Sequence, residues 1–163
     1  MKHSYFSRRL LSVFMAFALG LSVLLAKDFV VVIDAGHGGH DPGSLGSKAK
    51  EKNINLGVAL KLGRLIENNM QGVKVVYTRK KDVYLTLQER ANIANKVQGD
   101  LFISIHTNSL DKKSPNRRKV AGASTWTLGL HRSKENLEVA KRENSVIYLE
   151  NDFSTRYEGF DPN

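Results

Sequence analysis

The sequence predicts an α/β domain, because short, continuously apolar runs alternate with longer stretches in which apolar residues recur at helical spacing. A helical bundle would lack the short runs, and a β-sandwich would lack the long periodic ones. The chain has 163 residues, of which 41% are hydrophobic and 25% charged, so it is long enough for one domain with a core. Two full domains would not fit comfortably.

The first strand is predicted where Phe29 to Ile33 form an unbroken, largely β-branched run, which is typical of a central strand covered on both faces. The turn from Asp34 to Gly39 ends it. Apolar residues at helical spacing then predict an amphipathic helix from about Glu51 to Asn69. A second strand, Val73 to Thr78, follows Gly72 directly.

The second helix is predicted to start at Thr86, which forms a capping-box pattern with Glu89. Leu101 to Ile105 read as a third strand, again buried on both faces, and the alternating segment Ala123 to Leu128 as a fourth. A polar, basic and proline-containing loop separates these two strands. Ser133 is expected to cap a last helix from Lys134 to about Glu150.

Residues 1–26 are expected to be a secretory signal peptide or an N-terminal anchor rather than part of the domain. Lys2, Arg8 and Arg9 precede an apolar run from Leu10 to Ala26. This order of a basic segment and an apolar segment is typical of export signals, and the run is slightly short for a membrane span. We therefore expect an exported protein of the periplasm or cell envelope, touching the membrane only if this segment is not cleaved.

Composition narrows the chemistry that the chain can perform. There is no cysteine, so disulfides, thiolate metal sites and thiol nucleophiles are excluded, and any metal must be held by His, Asp or Glu. The formal charge of +9 suggests an anionic partner, such as nucleic acid, a membrane or an acidic polymer. Nucleic acid is the weakest of these, because of the export signal and because no strand interleaves basic and aromatic residues.

Two histidines come directly after two of the predicted strands. His37 follows the first strand and His106 the third. Ligands of open α/β sheets bind at the carboxyl ends of the strands, so both side chains are expected to converge there. Glu51 begins the helix that follows the first strand and returns the chain to the same edge. Two His and one Glu form the ligand set of a tetrahedral zinc with one open position for water.

Each of these residues also has a purely structural interpretation. His37 lies between glycines and would serve as a turn residue, and Glu51 in a first helical turn is favoured by the helix dipole. His40 is close enough in sequence to reach a metal but is better explained as an exposed loop residue. Asp34 is expected either to accept a hydrogen bond from a ligand histidine or to cap the turn. Arg79 is expected to pair with Asp82 or Glu89 in a structural role.

Six blocks of this sequence, in order, resemble the signature blocks of the zinc-dependent N-acetylmuramoyl-L-alanine amidases of the Amidase_3 type. The blocks are Val31 to Gly39, Asp41 to Gly43, Glu51 to Leu56, Thr78-Arg79, Leu87 to Asn92 and Phe102 to Asn108. The resemblance implies an open, mixed but mostly parallel sheet flanked by helices, with residues 27–163 as the catalytic domain. It also implies that His37, Glu51 and His106 bind one Zn²⁺.

The implied activity is hydrolysis of the amide bond between N-acetylmuramic acid and the L-alanine of the peptidoglycan stem peptide. Zinc lowers the pKa of a bound water to roughly 7 and polarises the carbonyl that is attacked. Peptidoglycan is then the partner, and an envelope activator protein is a further candidate. Departure of the amine requires a proton, which in this family comes from a glutamate in a strand of Val-Glu-Leu-Gly-Phe type near the end of the domain.

No such strand is present in this sequence. The glutamates after His106 are Glu135, Glu138, Glu143, Glu150 and Glu158. Only Glu158 precedes Gly-Phe, in a segment with the character of a loop, which makes it a weak candidate for the general acid/base. We therefore expect a domain that is truncated at its C-terminal end. The alternative function is a catalytically inactive, zinc-containing envelope protein that binds peptidoglycan.

Overall fold

A computed structural model provides the fold of most of the chain after residue 26. The residues that it describes are 27–110, 113–116, 119–127, 134–150, 152 and 155. The predicted signal segment at residues 1–26, the predicted cap Ser133 and the candidate Glu158 lie outside the described residues. No helix of the described part is long and apolar enough to cross a membrane.

Three parallel strands form the sheet. They are β1 (Phe29–Ala35), β2 (Val73–Tyr77) and β3 (Leu101–Ile105), in the order β2-β1-β3. The pairing sets Ile33 beside Tyr77 on one side and beside Ile103 on the other. All residues of β1 after Phe29 are buried, so the predictions of a central strand and of an α/β sheet flanked by helices are confirmed.

Three α-helices accompany the sheet in the described residues. They are α1 (Glu51–Asn69), α2 (Leu87–Lys96) and α3 (Lys134–Asn144). The predicted capping box is confirmed, because the Thr86 side chain accepts a hydrogen bond from Glu89 N while the Glu89 carboxylate accepts one from Thr86 N. The last predicted helix is divided, since a 3-10 turn, Ser145–Leu149, follows α3.

The main core lies between β1 and α1. Alternate residues of a strand point to the same face, and here Val31, Ile33 and Ala35 pack around Ala59 of α1. The opposite face of β1 is closely covered at Gly99, where a Cβ would lie 2.7 Å from Val32 Cγ2. This glycine lets the chain before β3 approach the central strand.

Two predictions about the far edge of the sheet are wrong. Strand β3 is not buried on both faces, because Leu101 and Phe102 are 45% and 44% exposed. Residues 123–127 of the predicted fourth strand form no strand, and Leu128 lies outside the described residues. Among the described residues β3 pairs only with β1, so its other side faces an open groove. Alternating polarity predicts a half-buried segment, but such a segment becomes a strand only where another strand lies beside it to form hydrogen bonds.

Candidate metal centre

The carboxyl ends of β1 and β3 bring two histidines together. The strands are parallel neighbours, with Ala35 paired to Ile105, so the residues just beyond them lie at one edge of the sheet. His37 Nε2 is 3.2 Å from His106 Nδ1. Glu51, the first residue of α1, places Oε1 3.4 Å from His37 Nε2 and 3.5 Å from His106 Nδ1. The three residues therefore lie together, as the strand-end argument predicts.

A fourth residue, Glu143 of α3, joins this cluster. Its Oε2 lies 2.7 Å from His106 Nδ1 and 3.7 Å from His37 Nε2. One ligand atom from each of the four residues falls within 4.8 Å of every other. In the sequence Glu143 is only one of five glutamates after His106, and it does not follow an apolar run that ends in Gly-Phe. No local pattern around it indicates that it meets two distant histidines.

The spacing of these atoms fits a metal ion. Ligands about 2.0–2.2 Å from a tetrahedral zinc lie about 3.4 Å from one another. The distances among His37, Glu51 and His106 are 3.2, 3.4 and 3.5 Å. Imidazole nitrogens and carboxylate oxygens are also donors that suit zinc. The cluster of His37, Glu51, His106 and Glu143 thus fits a metal site in both spacing and chemistry.

Backbone N–H groups hold the Glu51 carboxylate in place. Thr107 N donates to Oε1 at 2.7 Å, and Ser44 N donates to Oε2 at 2.9 Å. Burial disfavours the charged form, but hydrogen bonds with His106, His37 and these two N–H groups outweigh it and hold the pKa of Glu51 well below its usual range. Glu51 is therefore an anion at neutral pH although it is only 4% exposed.

Asp41 orients His37. Its Oδ2 lies 2.8 Å from His37 Nδ1, so Nδ1–H donates to the carboxylate and Nε2 faces the centre of the cluster. Burial by itself lowers the pKa of His37. The carboxylates of Asp41 and Glu51 raise this pKa by more than burial lowers it, so that it rises from 6.5 to about 9. Burial likewise opposes the charged form of His106, whose pKa is raised to about 8 by Glu143 and Glu51.

This arrangement corrects the expectation for Asp34. Its carboxylate does not bond to either histidine in the described part of the chain. Instead it accepts hydrogen bonds from Thr78 Oγ1, Ser104 Oγ and Arg90 Nη1. Asp34 still lies within β1, so its side chain is directed by the pleat of the strand, whereas the turn beyond β1 brings Asp41 back to His37. The signal in the sequence is an acidic residue four positions after the histidine.

Two other residues that the sequence singles out, His40 and Arg79, lie outside the cluster. His40 is exposed and outside the cluster, with its ring stacked on Tyr84 at a centroid distance of 4.0 Å. Arg79 forms no hydrogen bond with Asp82 or Glu89 in the described residues, and it donates instead to backbone carbonyls. Its guanidinium is buried, and Nε, Nη1 and Nη2 all donate to these carbonyls.

An open groove of about 1260 Å³ runs from the cluster along the exposed side of β3. His37, His106 and Glu143 line it. Phe102 and Trp126 also line it, and both residues are partly open to solvent. The cluster is therefore accessible to an extended molecule rather than enclosed.

Comparison with known proteins identifies relatives of this chain. Residues 31–159 match the model of the family Amidase_3, described as N-acetylmuramoyl-L-alanine amidase. The chain is 38% identical over 100 residues to the N-acetylmuramoyl-L-alanine amidase AmiC of Escherichia coli O6:H1. This alignment covers 61% of this chain and 24% of AmiC. A relative from Buchnera aphidicola is 36% identical over 141 residues, covering 83% of this chain and 57% of that protein.

A solved structure agrees with the fold. The crystal structure of an N-acetylmuramoyl-L-alanine amidase from Clostridium difficile 630 superposes with a TM-score of 0.50 at 36% identity, over 54% of this chain and 47% of that one. The chain therefore spans about half, or less, of the length of the relatives that it matches.

Proposed function

Because the chain belongs to the N-acetylmuramoyl-L-alanine amidase family Amidase_3, we propose that it is a zinc-dependent peptidoglycan hydrolase. The bond cleaved is the amide between N-acetylmuramic acid and the L-alanine of the stem peptide. The observation that carries this proposal is the convergence of His37, Glu51 and His106 at distances that suit one tetrahedral metal ion.

In this proposal His37 Nε2, His106 Nδ1 and Glu51 Oε1 hold the zinc. When bound, the ion would supply a water of pKa near 7 and would polarise the scissile carbonyl. Asp41 keeps the proton of His37 on Nδ1, so that Nε2 offers its lone pair to the cluster. Thr107 and Ser44 fix the carboxylate of Glu51 from opposite oxygens. The open groove beside the cluster is where the peptidoglycan strand would bind.

Glu143 supports a second candidate function, a zinc-containing envelope protein that binds peptidoglycan without cutting it. Its carboxylate offers a fourth ligand atom beside the three others. Zinc sites with four protein ligands are the structural type, whereas catalytic sites keep one position open. If the protein is an amidase, the Glu143 side chain must therefore move away from the cluster to leave one coordination position open for water.

The deciding experiment measures new L-alanine amino termini when the purified chain is incubated with peptidoglycan, with zinc and separately with a chelator. Release that depends on zinc supports the amidase. His37→Ala is expected to abolish it, and His40→Ala is the matched control because that histidine lies outside the cluster. A folded, zinc-loaded chain that sediments with peptidoglycan but releases no L-alanine termini, even after Glu143→Ala, would favour the non-catalytic candidate.

We also propose that the protein acts in the cell envelope, with residues 1–26 as the export signal or anchor and residues 27–163 as the amidase domain. Support comes from the basic and apolar order of the N-terminal segment and from the peptidoglycan substrate of the family. Fractionation of cells that express the chain tests this. Recovery in the periplasm or envelope is expected, and recovery in the cytosol would contradict the proposal.

A further inference from the structure

Two buried arginines lie directly beneath the turn that carries His37. Arg79 follows β2 and Arg90 lies in α2. The two residues are 3% and 6% exposed. Neither donates a hydrogen bond to a side chain of the metal cluster in the described part of the chain. Buried guanidinium groups are costly unless every donor finds an acceptor, so the partners of these two residues show what they do.

Their partners include three successive backbone carbonyls of the turn. Arg79 Nε donates to Ala35 O at 2.8 Å and Arg79 Nη2 to Gly36 O at 2.9 Å. Arg90 Nη1 donates to Ala35 O at 2.9 Å and Arg90 Nη2 to His37 O at 3.0 Å. The carbonyls of Ala35, Gly36 and His37 are therefore all held from below by charge-assisted hydrogen bonds.

Both arginines are anchored at a second point. Arg90 Nη1 also donates to Asp34 Oδ1 at 2.7 Å, within β1, and Arg79 Nη2 donates to Lys52 O at 2.9 Å, within α1. The turn is thus tied to the central strand and to the helix that begins with Glu51. A shift of the turn relative to these elements would break several buried hydrogen bonds together.

The turn has a conformation that needs such support. His37 has a φ of 61°, in the left-handed region that residues with a side chain rarely adopt. The ring of His106 packs so closely on Gly36 that a Cβ there would overlap it. The position of the Gly36 backbone therefore sets both the direction of His37 and the place of the His106 ring.

We propose that Arg79 and Arg90 are positioning residues that hold the His37 turn in its metal-binding conformation and thereby set the affinity for zinc. This inference rests on the proposed function, in which the cluster holds zinc. Lysine cannot replace either residue, because its donors radiate from one nitrogen, whereas the arginine fork spans two carbonyls of the turn. The positive charge alone is therefore insufficient.

The test measures zinc affinity of the full chain by competition with a chromophoric chelator, for the parent and for Arg79→Lys and Arg90→Lys. The visible absorption of the cobalt-saturated chain reports ligand geometry in parallel. We expect each variant to bind zinc about 10- to 100-fold more weakly, the range found when groups that orient metal ligands are removed. We also expect an altered cobalt spectrum.

Two controls separate positioning from general stability. Arg64→Lys makes the same chemical change at an exposed position of α1. Val31→Ala removes core volume beneath α1 and lowers the thermal midpoint without touching the turn. Both are expected to keep the parent affinity and cobalt spectrum. Folding of each variant is checked by circular dichroism at the temperature of the titration.

Folded lysine variants with parent affinity and spectrum would overturn the inference while leaving the proposed function intact. A parent chain that binds no zinc would overturn both. If a lysine variant does not fold, Asp34→Asn replaces it, because this isosteric change removes the charge that anchors Arg90 and leaves both arginines in place. Weaker zinc binding in folded Asp34→Asn supports the inference, and unchanged binding rejects it.

Discussion

Glu143 Oε2 lies 2.7 Å from Nδ1 of His106, which joins α3 to the carboxyl end of β3. Burial raises the pKa of Glu143, but the hydrogen bond with His106 outweighs it and lowers the pKa below its usual value. A charged carboxylate thus occupies the side of the cluster that faces the groove. Glu143 lines the groove together with His37 and His106.

Replacing Glu143 by alanine should leave zinc bound while opening one side of the cluster. His37, Glu51 and His106 still provide three ligand atoms, so we expect one zinc per chain and a loss of affinity of about tenfold, whereas His106→Ala should lose stoichiometric zinc. Amidase activity should rise in Glu143→Ala if this residue blocks the fourth position. Glu138→Ala, an exposed change on the same helix, is the control and should alter neither quantity.

Asp41→Asn should weaken zinc binding about 10- to 100-fold, because the carboxylate that fixes the Nδ1 proton of His37 is lost. The same change should lower the pKa of His37, since Asp41 is the largest of the contributions that raise it. NMR titration of the His37 ring in the metal-free chain measures the pKa. Asp28→Asn, at an exposed position, should affect neither. An unchanged pKa in Asp41→Asn would contradict the role of Asp41.

Zinc affinity should rise with pH. A proton on either histidine competes with the metal, and the pKa values of His37 and His106 are raised from 6.5 to about 9 and about 8. Affinity should therefore increase steeply from pH 6.5 to 9 and level off above. Titrations at several pH values measure it, and a flat profile over this range would exclude binding through these two rings.

The stability of the chain in chelator should follow the opposite trend. Groups with a raised pKa in the folded state bind protons more tightly there, so their contribution is complete below pH 6.5 and is lost as the pH rises through 8 and 9. We expect the midpoint of thermal unfolding in chelator to fall between pH 6.5 and 9. In the presence of zinc we expect this midpoint to stay constant over the same pH range. A midpoint in chelator that rises from pH 7 to 9 would contradict the assignment.

Gly36→Ala should disrupt the cluster, because the new Cβ would overlap the ring of His106. Either the ring or the β1 turn must move, so we expect the loss of stoichiometric zinc binding. Gly57→Ala is the matched control, since nothing lies within 4 Å of the Cβ it would add on α1. That change should leave zinc binding intact and stabilise the helix by about 0.5–1 kcal/mol. Equal zinc binding by Gly36→Ala and Gly57→Ala would show that a side chain at position 36 does not displace the His106 ring.

The sequence by itself determined the elements whose signals are local. The apolar run of β1, the helical spacing of α1 and the Thr86–Glu89 capping box each depend on residues close in the chain, and the structure has all three. It also determined that His37 and His106 meet, because parallel neighbouring strands end at one edge of the sheet. That inference needs only strand order and direction.

Tertiary structure alone decided that Glu143 joins Glu51 in the cluster and which faces of the sheet stay open. Glu143 reaches His106 through the packing of α3, and no periodic pattern encodes that contact. The turn after β1 brings Asp41, and not Asp34, into hydrogen-bond contact with His37. The exposure of Leu101 and Phe102 likewise follows from the absence of a second neighbour for β3 among the described strands. Hydrophobic pattern records how apolar a segment is, whereas burial and ligation depend on what the rest of the chain places beside it.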